Sequence, residues 1–341
     1  MRILLIGGNG FIGRPLASTL QSRGHRVAVF HRGTAPLAAG LEAIRGDRND
    51  LAASVDEFRR LAPDVAVDLV ISSGSQAAAL MNAFRGIASR VVMLSSMDVY
   101  RAVGVMHATE AGPLQELPLT EDSELRRNLH PYPRESMQML RKIFPWATDD
   151  YDKIPAERVV MSDDDLPGTI LRLPMIYGPG DPLHRFYPIV KRVMDGRRQL
   201  IFSEPQAGWR SPRGFVGNVA AAIALAATDT RASRRIYNVC EEPPFSELDW
   251  AQRIAREMQW DGEFVVLPPE HTPAHLVQAG NHAQHWVASS DRIRRELQYA
   301  EAVAIEEAIR QTIRWQRENP PTMPFAQFDY AAEDAALACK A

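Results

Sequence analysis

Arg2-Ile3-Leu4-Leu5-Ile6-Gly7-Gly8-Asn9-Gly10-Phe11-Ile12-Gly13 is the stretch whose reading decides the fold. A short apolar run closed by glycine reads as a buried strand, and Phe11 to Gln21 reads as a helix that follows it. Between them the glycines fit two spacings at once, Gly8-x-Gly10-x-x-Gly13 and Gly7-x-x-Gly10-x-x-Gly13. One glycine makes the tight strand-to-helix turn, Gly10 lets backbone approach a pyrophosphate, and Gly13 lets helix pack close on strand. The helix N-terminus then offers unpaired N–H donors and a positive dipole end. Gly7, Gly10, Phe11, Ile12 and Gly13 are therefore candidate cofactor-binding residues. The competing reading is a glycine-rich structural turn.

Outward from this loop, strand and helix alternate. Strands are predicted over 26–30, 41–45, 67–71, 90–94 and 169–173, and helices over 49–61, 76–84 and 154–161. Strict alternation implies right-handed crossovers, a parallel sheet and helices on both faces. The fold expected is α/β, a Rossmann-type doubly wound parallel sheet with a smaller C-terminal α/β lobe. Residues 1–177 are assigned to the dinucleotide-binding domain, with 101–150 as an irregular insertion over the active-site face. That insertion carries Pro113, Pro118, Pro131, Pro133 and Pro145. Residues 178–330 are expected to form a substrate lobe interleaved with the sheet's end, and the Ala-rich 331–341 a loose or weakly helical tail.

The second strand bears on the cofactor. NAD binding calls for an acid about 20 residues beyond the glycine loop, to accept from the ribose hydroxyls. Here the sequence reads Phe30-His31-Arg32, with no acid before Glu42. Arg32, aided by His31, can instead pair with a 2′-phosphate, a charge-assisted bond contributing roughly 1.5–3 kcal/mol. NADP is thus expected over NAD; otherwise Arg32 is a solvated turn residue. Asp47, after the third strand, is a candidate for the adenine amine or an exposed turn aspartate.

Composition narrows the classes. The 341 residues carry a net charge of -3, a near-neutral balance that argues against binding nucleic acid or an anionic membrane, which call for a clustered basic face. No apolar run approaches the roughly 20 residues that span a bilayer. Two cysteines, Cys240 and Cys339, exclude a disulfide framework and fit a reducing cytoplasm. The partners expected are a small-molecule substrate and, as an open option, a second copy of the chain, with neither nucleic acid nor membrane. Four histidines, His271, His275, His282 and His285, crowd one segment, but Pro273 interrupts the first pair and no metal site is expected.

The landmarks in order are the glycine loop, Gly46-Asp47-Arg48, Ser95-Ser96-Met97-Asp98-Val99-Tyr100, Lys153 with Glu157, Leu173-Pro174 before Tyr177-Gly178-Pro179-Gly180, and Arg213-Gly214-Phe215-Val216. Together they resemble the extended short-chain dehydrogenases, the NAD(P)-dependent epimerases, dehydratases and reductases, from Arg2 to about Arg317. The resemblance implies that Ser96 hydrogen-bonds the substrate oxygen. It implies that Lys153 holds the nicotinamide ribose and lowers a tyrosine pKa. Pro174 and Tyr177 would lie near the nicotinamide, and Arg213 would contact a diphosphate as in sugar-nucleotide enzymes. A hydroxyl donor at a strand's carboxyl end is where an oxyanion needs one. A phenol with pKa near 10 needs a cation or burial to work at neutral pH.

The pattern departs in one place. The family's tyrosine stands four residues before the lysine, where this chain has Asp149; the nearest tyrosine is Tyr151. Residues two apart on a helix point nearly opposite ways. Pro155 belongs in a helix's first turn, so the helix is expected to start near Ile154 and leave Tyr151 outside it. Tyr151 is then the expected proton donor or acceptor, with Tyr100 and Asp149 as rivals. Tyr100, Arg210 and Arg213 are expected to contact substrate, a small polar carbonyl or sugar-like compound. The alternative is a non-catalytic NADP sensor or partner-binding protein on the same fold.

Overall fold

The computed structural model describes residues 1–33, 37–129, 132, 134–144, 146–322 and 327–339. Of the features singled out above, Pro131, Pro133, Pro145 and the last two residues of the tail lie outside these.

Among the described residues the strands are β1 (Arg2–Ile6), β2 (Arg26–His31), β3 (Glu42–Arg45), β4 (Val65–Asp68), β5 (Arg90–Ser96), β6 (Gly168–Leu173), β7 (Met175–Tyr177), β8 (Gln199–Ser203), β9 (Arg213–Phe215), β10 (Arg235–Asn238) and β11 (Glu263–Leu267). The helices are α1 (Gly13–Ser22), α2 (Val55–Leu61), α3 (Gly74–Phe84), α4 (Arg101–Met106), α5 (Arg134–Ile143), α6 (Lys153–Met161), α7 (Tyr187–Met194), α8 (Glu204–Ala207), α9 (Val216–Thr228), α10 (Glu247–Glu257), α11 (Asp291–Leu297), α12 (Ile305–Glu318) and α13 (Tyr330–Ala338).

Seven strands form one sheet in the order β10-β6-β5-β4-β1-β2-β3, every pair parallel. The α/β doubly wound class is thereby met. The period of two along each strand explains why the runs are apolar throughout. Ile3, Leu5, Val27, Val29, Val65, Val67, Val92 and Leu94 pack on the face that α1 and α9 cover. Leu4, Ile6, Ala28, Phe30, Ala66, Val91 and Met93 pack on the opposite face, with Phe58, Leu80 and Val160 from α2, α3 and α6. A sheet buried on both sides has no polar face to alternate with. Two short parallel pairs, β8 with β11 and β7 with β9, lie outside the main sheet.

Three expectations need correction. β4 starts and ends earlier than the predicted 67–71, and the chain leaves the sheet at Asp68, whose carboxylate pairs with Arg48 at 2.6 Å in full burial. The 101–150 stretch is not wholly irregular, since it contains α4 and α5. The tail is not loose over its described part. Tyr330–Ala338 is a helix, and Glu333, 0% exposed, pairs with the buried Arg192 at 2.6 Å and with His275 at 3.0 Å.

Candidate active site

The glycine loop has the shape its sequence implies. Gly7 has φ +79°, a left-handed backbone that only glycine adopts freely. A Cβ on Gly13 would fall 2.4 Å from the backbone of Gly8, so helix and loop touch with no room for a side chain. Gly10 is different: a Cβ there would meet only the Gly7 oxygen, at 3.4 Å. Among the described residues nothing demands glycine at that position, and the open space above it is available to a ligand's phosphate. The first turn of α1 has neither a side-chain cap nor an acidic residue. Neither its N-cap side chain nor an acid in its first turn offsets the N–H groups and the dipole, as an anion site requires. The loop fits a dinucleotide's pyrophosphate.

Beyond the loop, at the carboxyl ends of β5 and β6, lies a cavity of ≈ 480 Å³. Phe11 and Ile12 reach it from the loop, Leu94, Ser95 and Ser96 from β5, and Leu173 to Ile176 from the end of β6 and the start of β7. Tyr151 and Lys153 enter from the start of α6. The insertion after β5 roofs it with Met106, His107, Tyr132, Leu140, Phe144 and Trp146, and the C-terminal lobe adds Trp209, His282 and Trp286.

The local sequence explains the positions of the reactive groups. Helix α6 starts at Lys153, one residue before the expected start, with Asp152 as N-cap accepting from the Ile154 N–H at 2.7 Å. Tyr151 precedes the cap, so helical register does not bind it to Lys153. The Lys153 ammonium lies 5.7 Å from the Tyr151 ring centre and 5.3 Å from that of Trp146. It donates to the backbone carbonyls of Ile71 and, at 3.3 Å, Leu94. Burial pulls its pKa down to about 8, with Asp98 partly opposing.

A second tyrosine meets the first. Tyr132 and Tyr151 both donate to the same carboxylate oxygen of Asp98, at 2.9 and 3.3 Å, with ring centres 5.9 Å apart. Among the described residues the other Asp98 oxygen is buried with no hydrogen-bond partner, and Arg126 lies 4.0 Å from it. Burial, reinforced by the Asp98 charge, raises both phenols well above their ordinary range. In this geometry Tyr151 is held as a neutral donor, and the lowering effect expected from Lys153 does not dominate. Ser96 Oγ accepts from the Asp98 N–H at 3.1 Å, which leaves its own proton free to donate into the cavity. Tyr132 and Asp98 were missed as functional residues. Asp98 sat inside a quoted motif, but no spacing marks Tyr132, 21 positions before Lys153.

Other expected site residues are not brought to the cavity. Tyr100 is 0% exposed behind the sheet end, donating to Asn238 at 2.6 Å and accepting from Arg172 at 3.1 Å. Burial pushes its phenol up to about 12. Tyr177 is 0% exposed, stacked on Phe186 and bonded to Glu241 at 3.0 Å. Arg213 pairs with Glu247 at 2.6 Å and covers the Trp250 ring at 4.8 Å. Arg210 is exposed and does not line the cavity. Asp149 is exposed and paired with Arg141.

On the adenosine side, Arg32 is exposed with no ion-pair partner among the described residues. His31 Nδ1 accepts from the Gly33 N–H at 3.0 Å, while its Nε2 is buried without a partner among the described residues. Asp47 is exposed and caps the next turn through the Asn49 N–H at 2.9 Å. Among the described residues no group of three or more His, Cys, Asp or Glu side chains is arranged to hold a metal. None of the described helices is long and apolar enough to cross a membrane.

Comparison with known proteins agrees with this fold. The model of the NAD dependent epimerase/dehydratase family matches residues 3–240. The chain is 27% identical over 284 residues to 3-diazoavenalumate denitrifying reductase of a Streptomyces species, covering 81% of this chain and 86% of that protein. It is 28% identical over 224 residues to 2-alkyl-3-oxoalkanoate reductase of Stenotrophomonas maltophilia, covering 59% of this chain and 58% of that one. Among solved structures it is similar to the Bordetella bronchiseptica enzyme WbmG in complex with NAD, at TM-score 0.68 and 17% identity over 94% of each chain. It is also similar to MoeE5 in complex with UDP-glucuronic acid and NAD, at TM-score 0.65 and 20% identity over 93% of this chain and 99% of that one.

Proposed function

The chain belongs to the NAD dependent epimerase/dehydratase family, and from that premise we propose that it is an NADP-dependent reductase of a small carbonyl compound. The observation that carries this reading is that Phe11 and Ile12 of the glycine loop, Ser96, Tyr151 and Lys153 all line one cavity. When bound, the nicotinamide supplies or accepts the hydride. The chain's own residues bind, orient and move the proton. The uncapped first turn of α1 and the open space over Gly10 suit the pyrophosphate. Exposed Arg32 is placed to meet a 2′-phosphate, which favours NADP. Asp47 is left to the adenine end and Pro174 to the nicotinamide end.

At the reacting carbon, Ser96 donates to the substrate oxygen and Tyr151 gives it the proton. Two phenols share Asp98, so one can turn to substrate while the other still satisfies the carboxylate. Lys153, held by two carbonyls, fixes the ribose end and adds positive charge beside the Tyr151 ring. The reading of the fold as a mere sensor has little to support it beside relatives that are named reductases. The shorter bond of Tyr132 to Asp98, 2.9 Å against 3.3 Å for Tyr151, makes Tyr132 the anchor and leaves Tyr151, the more loosely held of the two, as the donor.

Two measurements test this. NADPH should bind about ten- to a hundredfold tighter than NADH, and Arg32→Ala should remove most of that difference while leaving NADH affinity little changed. Equal affinities in the wild type would reject the NADP reading. Tyr151→Phe should lose about 10²–10⁴-fold in turnover with NADPH binding intact. If Tyr132→Phe shows that loss instead, the two tyrosines exchange roles; if neither does, this proton path is wrong.

A further inference from the structure

We propose that the substrate held beside Lys153 is an uncharged carbonyl compound carrying an apolar ring, and not a nucleotide-linked sugar. This rests on the reductase reading for the identity of the reacting end, and goes beyond it in naming what fills the rest of the cavity.

The first argument is the absence of a counter-charge for a diphosphate among the described residues. A diphosphate taken out of water requires cations with free donors. The two arginines whose sequence positions suggested that role do not face the cavity. Arg213 is committed to Glu247 at 2.6 Å and Arg210 lies outside. Of the basic side chains that line the cavity, Arg185 has its charge offset by Asp181 at 2.7 Å, and the same guanidinium nitrogen donates to the Ile176 carbonyl at 2.8 Å. Lys153 gives two of its three N–H donors to the carbonyls of Ile71 and Leu94 and keeps the third for the ribose end. His107 is shifted toward its neutral form by burial. His282 packs edge-on against Trp209 at 6.1 Å. Asp98 adds a carboxylate to the same wall, which repels an anion.

The second argument is what the wall offers instead. Trp209 donates its indole N–H to the Gln284 carbonyl at 3.0 Å, and Trp286 donates to the Met97 carbonyl at 3.2 Å. Their polar edges are satisfied by backbone, so what they offer a ligand is carbon. Phe144 and Trp146 sit together with ring centres 5.5 Å apart, and Leu140 and Met106 complete that side. Aromatic walls of this kind favour offset-stacked or edge-on rings in a ligand. The polar donors, Ser96, Tyr151 and Tyr132, gather at one end. The site thus has a polar end for a carbonyl oxygen and an apolar body, the usual layout of a small-molecule pocket of roughly 300–1,000 Å³.

The experiment uses the full-length NADPH-loaded protein with 2-acetonaphthone and UDP-glucose as probes, read by quenching of tryptophan fluorescence and, separately, by loss of NADPH absorbance. The aromatic ketone should bind saturably and at least about tenfold tighter than UDP-glucose. Phe144→Ala and Leu140→Ala should each weaken it, Phe144→Ala by about tenfold, with folding checked by circular dichroism. UDP-glucose binding as tightly as the ketone, or no saturable binding of the ketone, would overturn the proposal. So would retention of full ketone affinity in both variants. The absorbance channel separates the two levels. Saturable ketone binding with no NADPH oxidation by any aromatic ketone upholds the substrate class and counts against hydride transfer. Oxidation driven only by polar aldehydes such as glyceraldehyde keeps hydride transfer and rejects the apolar ring.

Discussion

Lys153 shows how much one residue's chemistry depends on where the chain folds. It is 5% exposed, and burial brings its pKa from 10.5 to about 8. Below about pH 8 it is protonated both folded and unfolded, and the cost of burying the charge is fully present. Between about 8 and 10.5 the unfolded chain holds the proton and the folded chain does not, so stability rises with pH across that window. The stability difference between wild type and Lys153→Met, measured by urea unfolding without cofactor, should therefore move in favour of wild type. The expected change is on the order of 3 kcal/mol from neutral pH to the upper end of the window. A difference flat with pH would mean that the amine is not desolvated as described. The role proposed for Lys153 came from its place in a motif. The partners that set its chemistry were not legible there, because Ile71, Leu94 and Asp98 come from β4 and β5 and their following turns.

At the scale of elements, α6 positions the site because it is locked to the sheet by a buried ion pair. Glu157, one turn after Lys153, meets Arg172 of β6 at 2.7 and 3.0 Å and accepts from Ser95 of β5 at 2.6 Å. Both partners are nearly inaccessible, at 4% and 2% exposed. Removing one member leaves the other charge buried without compensation. Glu157→Ala is expected to cost about 3–5 kcal/mol of stability, read from the urea midpoint. A loss within the ordinary surface range, below about 0.5 kcal/mol, would show that Arg172 finds other partners. The helix itself was readable from Pro155 and the apolar spacing, with its start misplaced by one residue. What could not be read was that Glu157 faces inward, since its partner lies on a strand that is adjacent only after the sheet has formed.

For the molecule as a whole, the C-terminal helix α13 closes a core that the sheet does not reach. Ala336 and Leu337 pack on Ile201, Val265 and Leu267 of the β8–β11 pair. The buried Glu333–Arg192 contact fixes the helix against α7, with Arg192 also stacked on Phe328 at 4.8 Å. An alanine-rich sequence with two adjacent acids gives little sign of this, because intrinsic propensity describes a helix but not its docking. Glu333→Ala should release α13: cleavage within 330–338 by a broad-specificity protease should accelerate, while Arg192→Met with Glu333→Leu together should restore much of the protection. That contrast is expected because an unpaired buried arginine is costly whereas an apolar replacement of the pair is nearly neutral. Unchanged proteolysis in the single variant would show that the apolar contacts alone hold the helix.

The sequence by itself determined whatever depends on neighbours along the chain: the strand–glycine–helix turn, the alternation that makes a parallel sheet buried on both faces, and the order of landmarks that marks the family. These are local in origin, because backbone conformation and hydrophobic period are set within a few residues. Tertiary structure alone decided which polar groups are spent and which are free. It paired Arg213 with Glu247 and buried Tyr100 and Tyr177 behind the sheet. It also brought Tyr132 and Tyr151 onto one Asp98 oxygen inside an aromatic-walled cavity. A charge or hydroxyl takes its chemistry from burial and from the nearest partner, and the nearest partner in space is seldom near in sequence.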